Sequence, residues 1–175
     1  MPGDEQTISE ESIVEQTNGL AMFAALVIQI SSSTKTNDKL DALAEYFTLA
    51  DDKDKVWVIA IFSGRRPKRI VSSTLLAEWC TTLANIPPWL FIESYSTVGD
   101  LGETIALLLP DPINQNSKGE SPVRTVPPGG LSYYLEKFIE IERQDESIRK
   151  QFILDSWEQM NHAERFVFNK LITGS

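Results

Sequence analysis

Apolar residues recur at spacings of three and four along almost the whole chain, and no run alternates with a period of two. That pattern restricts the fold more than any other feature, because side chains so spaced share one face of a helix. Leu20, Phe23, Ala24, Val27 and Ile30 mark the first such face, and Leu40, Leu43, Ala44 and Phe47 the second. Val56, Ile59, Ala60 and Phe62 follow, then Leu75, Leu76, Trp79 and Leu83, then Trp89, Leu90, Ile92 and Tyr95. Leu131, Tyr134, Leu135, Phe138 and Ile141 form a strong amphipathic stripe. Ile148, Phe152, Ile153 and Trp157 form another, and Phe166, Val167, Lys170 and Leu171 lie in the last periodic segment. The run Val56–Phe62 is β-branched and apolar enough to suit a strand. The carboxylates Asp51 and Asp52 at its start favour a helix, whose N-terminus attracts negative charge. The expected fold class is all-α, a compact domain of about eight to ten helices.

Punctuation divides these segments. Asn85-Ile86-Pro87-Pro88 breaks one helix and places proline at the start of the next. Gly99 suits a left-handed C-terminal position. Asp100 with Glu103, and Asn161 with Glu164, each read as a capping box. Pro110 stops the helix that opens at Leu101, and Gly174 ends the last one. Residues 110–130 hold five of the nine prolines and three of the nine glycines, which predicts a long irregular loop.

At 175 residues and 42% hydrophobic, the chain suits one globular domain. Its net charge of -9 is unevenly spread. Residues 1–20 carry Asp4, Glu5, Glu10, Glu11 and Glu15 with no Lys or Arg. Residues 1–19 are expected to be an acidic, disordered extension, and 20–175 the helical domain. Without that segment, acidic and basic residues nearly balance, so overall acidity is a poor argument against an anionic partner. Cys80 is the single cysteine, which excludes an intramolecular disulfide and fits a reducing cytoplasm. It lies among Leu75, Leu76 and Trp79 and reads as a buried structural thiol. Leu20–Ile30 is too short to span a bilayer and follows no basic region, so no membrane partner is expected.

No catalytic constellation stands out. His162 is the only histidine, and no Cys/His spacing suits a metal. A Walker-type phosphate loop is absent. Binding features are richer. Gly64-Arg65-Arg66-Pro67-Lys68-Arg69 packs four positive charges into six residues of an acidic chain. Like charges repel, so such a cluster usually serves an anionic partner. Taken alone, it describes a solvated turn as readily. Ser72-Ser73-Thr74 follow it as short donors near a helix start. Thr34, Lys35, Thr36 and Lys39 have similar character and read equally well as an ordinary cap. Gly99 and Gly102 flank a helix start and leave room for a sugar-phosphate backbone, or serve only as a C-cap and a close helix contact.

Taken together, these segments resemble the N-terminal DNA-binding domain of ATP-dependent DNA ligases of the bacterial type. The matching stretches are Phe23-Ala24-Ala25-Leu26, Thr34-Lys35-Thr36-Asn37-Asp38-Lys39 and the basic hexapeptide 64–69. Val98-Gly99-Asp100-Leu101-Gly102-Glu103-Thr104-Ile105 and the stretch from Glu164 through Asn169-Lys170-Leu171-Ile172-Thr173-Gly174 complete the set. The resemblance implies a helical domain that grips the minor groove on both sides of a nick. It implies partner domains, a nucleotidyltransferase and an oligonucleotide-binding domain, which adenylylate a lysine with ATP and Mg²⁺ and seal the nick in repair, replication or recombination. The chain itself is expected to need no cofactor. The family's catalytic Lys-x-Asp-Gly motif does not occur here, so this chain is expected not to be an enzyme but an excised or truncated domain.

The resemblance gives the candidate site residues their roles. Arg65, Arg66, Lys68 and Arg69 are the expected phosphate contacts. Thr34, Lys35, Thr36 and Lys39 form a second group. Gly99 and Gly102 would admit the duplex, and Lys170, Thr173 and Gly174 would sit at the DNA-facing end. The expected location is the bacterial cytoplasm, at the nucleoid. The alternative is a helical protein–protein adaptor that binds no DNA.

Overall fold

The computed structural model describes residues 20–110 and 130–174. The acidic segment 1–19 and the body of the loop expected at 110–130 lie outside the described residues. Nine helices and no strand occur among the described residues, as the periodicity predicts. They are α1 (Leu20–Ser32), α2 (Thr36–Leu49), α3 (Asp52–Phe62), α4 (Ser73–Ala84) and α5 (Pro88–Val98). α6 (Leu101–Leu108), α7 (Gly130–Ile141), α8 (Glu146–Gln159) and α9 (His162–Thr173) follow.

The helix ends follow the local chemistry. The Ser72 hydroxyl accepts from the Leu75 N–H at 3.2 Å and caps α4. Pro88 opens α5, where its missing N–H leaves no bond unmade. Gly99 closes α5 at φ 81°, a left-handed conformation that glycine adopts without penalty. Asn161 and Glu164 form both halves of a capping box on α9. At α6 only half of the expected box is present: Asp100 accepts from the Glu103 N–H at 2.8 Å. The other Asp100 carboxylate oxygen is taken by Lys170, a partner far along the chain.

The core is organised around α9. It packs along α6 and α1, while α6 also supports α4 and α5. α7 lies against α3 and α1. Tyr134, Phe138, Phe152 and Phe168 bring α7, α8 and α9 into one aromatic cluster; the Tyr134 and Phe168 rings meet edge-on with centroids 5.6 Å apart. Every residue of the Leu131–Ile141 stripe is buried. Cys80 is buried too, and burial pushes its thiol up to about 12, against a smaller downward pull from Arg165.

Three helices bury a different face from the one their apolar spacing suggests. On α2, Ala42 and Tyr46 are buried, Leu43 and Phe47 are half-buried, and Leu40 is exposed. On α5, Phe91 is buried, while Trp89, Ile92 and Tyr95 face outward. On α3, Asp54, Val58 and Ile61 point inward, and Val56, Ile59 and Phe62 do not. The α3 orientation has a specific cause. Asp54 accepts from the Ser132 N–H at 2.9 Å in the first turn of α7. An otherwise orphaned helix donor is thereby satisfied by a residue from another helix. α3 is apolar on both sides, so this one polar bond decides which side turns inward.

Candidate nucleic-acid interface

The basic hexapeptide is the turn between α3 and α4, and both of its ends are anchored. At the first, Gly64 takes φ 81°. Its N–H donates to the Ile61 carbonyl at 3.0 Å, and the Arg65 N–H reaches back to the Ala60 carbonyl at 2.8 Å. These two bonds make a Schellman motif, which satisfies the last carbonyls of α3 and turns the chain sharply. At the second end, Ile70 and Val71 are buried, and Arg149 of α8 donates from Nη1 to the Ile70 carbonyl.

Between the anchors, Arg65, Arg66, Lys68 and Arg69 are exposed. Lys68 Nζ lies 3.4 Å from Glu142 Oε1, and Arg69 Nη2 donates to the Ser73 hydroxyl at 3.0 Å. An ion pair this exposed is worth about 0–1 kcal/mol and yields readily to a stronger anion. The structure thus gathers the four cations of the expected phosphate site on one supported turn. Glu142 and Arg149, which brace it, carry no local sequence signal; only the tertiary fold brings them to the turn.

Thr34, Lys35, Thr36 and Lys39 occupy the α1–α2 junction. Lys35 is the residue before α2, extended, with no side-chain cap of its own. The Ser33 hydroxyl does the local work, accepting from the Lys35 N–H at 3.1 Å and donating to Asp38 at 2.8 Å. Thr34, Lys35 and Thr36 are exposed and Lys39 is half-buried.

The remaining candidates meet where α6 starts and α9 ends, and here the structure separates them. Gly99 is exposed, and a Cβ built on it would meet nothing within 4 Å. Gly102 is buried, and a Cβ there would lie 3.3 Å from Asn169 Cβ. Of the two readings of Gly102, this geometry favours the close helix contact: its small size lets α6 press against α9. Asn169 Nδ2 donates to the Gly102 carbonyl at 3.1 Å, and Asn169 Oδ1 accepts from Trp157 Nε1 at 2.8 Å. Thr173 is likewise buried, its hydroxyl donating to the Asn169 carbonyl at 2.8 Å.

Lys170 is half-buried and pairs with Asp100, and its ammonium lies 5.6 Å from the centre of the Phe166 ring. Burial pushes the Asp100 carboxyl up, but hydrogen bonds from Lys170 and the Glu103 N–H, with the Lys170 charge, outweigh it and hold the group below its ordinary 3.8. Gly174 ends α9 at φ 71° and is exposed.

Among the described residues, no group of three or more His, Cys, Asp or Glu side chains could hold a metal ion. No helix there is long and apolar enough to cross a membrane. The geometry is that of an all-helical domain presenting a braced cationic turn. The chain belongs to the DNA ligase N terminus family, whose pattern matches residues 20–175 and describes the N-terminal domain of ATP-dependent DNA ligases. Comparison with curated proteins finds no match.

Proposed function

We propose that this chain is the DNA-gripping module of an ATP-dependent DNA ligase and holds nicked duplex through phosphate and minor-groove contacts. The observation that carries the reading is the braced turn 64–69, four exposed cations on a chain whose net charge is -9. Arg65, Arg66, Lys68 and Arg69 contact phosphates, and an incoming phosphate displaces Glu142 from Lys68. Lys35 and Lys39, with the hydroxyls of Thr34 and Thr36, form a second contact. Gly99 allows close backbone approach, and Lys170 and Gly174 mark the end that faces the duplex. Because phosphates carry no base identity, binding follows DNA structure rather than sequence.

The chain contains no Lys-x-Asp-Gly motif, so it supplies grip and not chemistry. Adenylylation and sealing belong to the nucleotidyltransferase and oligonucleotide-binding domains of the parent ligase, with ATP and Mg²⁺, in bacterial DNA repair, replication or recombination. Fluorescence anisotropy against nicked and intact duplexes of one sequence tests the grip. The expected result is binding at low salt that favours the nicked duplex and is insensitive to base sequence. Absence of binding at low salt refutes the reading and leaves a protein–protein adaptor in its place.

A further inference from the structure

α3 carries an apolar stripe that no other element covers among the described residues. Val56, Ile59 and Phe62 are 65%, 57% and 52% exposed. Their spacing of three puts them on one side of the helix. The stripe runs into the basic turn, whose first left-handed residue, Gly64, lies just beyond Phe62. A surface that is apolar along its length and cationic at its end selects a ligand that is both apolar and anionic.

One segment of this chain has that chemistry. Residues 1–19 carry Asp4, Glu5, Glu10, Glu11 and Glu15 with no Lys or Arg, and place Ile8, Ile13 and Val14 among them. We propose that residues 1–19 dock on the α3 stripe and the basic turn, with the isoleucines and Val14 on the stripe and the glutamates beside Arg65 and its neighbours. Reach is sufficient. At about 3.3 Å per residue the segment spans roughly 60 Å, against a radius of gyration of about 15 Å for a domain of this size.

Charge separates this stripe from the competing apolar surfaces: its one carboxylate, Asp52, is paired with Lys55, and its other end meets four cations. The groove between α1 and α2, lined by Met22, Ile28, Tyr46 and Leu49 among others, has Glu45 as its sole charged lining residue and repels an acidic segment. The outward face of α5, Trp89, Ile92 and Tyr95, sits beside Glu93 and offers no cation of its own. The docking stands independently of the DNA reading. Its consequence rests on that reading: the segment and the phosphate backbone compete for one turn, so the chain discriminates against weak, nonspecific DNA contacts.

Paramagnetic broadening in the full chain tests the docking without DNA. Ser12→Cys takes a nitroxide selectively, because Cys80 is buried. The expected result is broadening of the Val56, Ile59, Phe62 and 64–69 amides at low salt, lost when Ile13→Ser and Val14→Ser are added. Uniform absence of broadening overturns the proposal, as does broadening centred on the α1–α2 groove or on α5. A spin-labelled chain mixed with an isotope-labelled, unmodified one separates a second copy from the chain's own segment; broadening between chains also overturns it. In the DNA arm, Glu10→Gln, Glu11→Gln and Glu15→Gln together tighten nicked-duplex binding roughly fivefold at low salt, about the worth of one exposed ion pair. A chain that binds no duplex at any salt refutes the DNA reading and leaves the broadening result to decide the docking.

Discussion

Asn169 is a small residue with three jobs. Its amide donates to Gly102, its side-chain oxygen accepts from Trp157, and its main-chain carbonyl takes the Thr173 hydroxyl. All three groups are buried, so each bond removes a donor or acceptor that would otherwise be stranded. Asn169→Ala leaves the Trp157 indole N–H without a partner, removes the amide bond to the Gly102 carbonyl and opens space between α6 and α9. The expected cost is about 2–4 kcal/mol, read as a lowered urea midpoint with an unchanged slope. Asp100 does a different kind of work at the same end of α6. Its carboxyl is held below the ordinary value by Lys170 and the Glu103 N–H, although burial opposes this. A depressed folded-state value means that the stabilisation is complete above the unfolded value, about 3.9, and is lost as pH falls through the folded one. Wild type should therefore lose stability below about pH 4, and Asp100→Asn should lose less over the same interval. An acid titration of thermal midpoints in both chains checks this, and parallel curves would refute it.

At the scale of helices, α3 tests why the chain folds as it does. Past its charged first turn it is apolar on every side, and Asp54, which accepts from the Ser132 N–H, lies on the inward face with Val58 and Ile61. Ile61→Ala should cost about 2–4 kcal/mol, as a core truncation, while Ile59→Ala stays within about 0.5 kcal/mol. Equal costs in chemical denaturation would contradict the orientation of α3. The same helix shows how far sequence reading goes. Helix existence and ends were legible, because Ser72, Pro88, Gly99 and the Asn161–Glu164 pair act within a turn or so of themselves. The face of α7 was legible too, since polar residues interrupt its stripe cleanly; α9 is buried nearly all round, Asn169 and Thr173 included, so the stripe of Phe166, Val167, Lys170 and Leu171 captured only part of it. The faces of α2, α3 and α5 were not, because apolar residues occur on more than one side and a tertiary partner decides between them. The basic turn was legible as charge. Its bracing by Glu142 and Arg149, and the closure of Gly102 by Asn169, depend on residues distant in sequence and leave no local trace.

For the molecule as a whole, the proposed DNA grip raises the question of how a chain of net charge -9 would hold a polyanion. Net charge acts at long range and is screened within about 8–10 Å at physiological salt. Inside that distance, on the proposed reading, a phosphate at the turn would meet the exposed Arg65, Arg66, Lys68 and Arg69, with Glu142 as the carboxylate paired to Lys68. Local sign therefore outweighs global sign once contact is made, and the global charge slows approach and weakens nonspecific association. Counterion release makes this quantitative. Four phosphate contacts give a log–log salt slope of about -3.6, so a fourfold rise in salt should weaken binding roughly 150-fold. Among the described residues Arg65 braces the turn through its main chain, whose N–H closes the Schellman motif and survives substitution. Arg65→Ala should therefore leave thermal stability unchanged while reducing the slope by about 0.9. Anisotropy titrations at several salt concentrations give both slopes. A variant whose affinity falls at every salt with no change in slope would mean that Arg65 shapes the turn instead of meeting a phosphate.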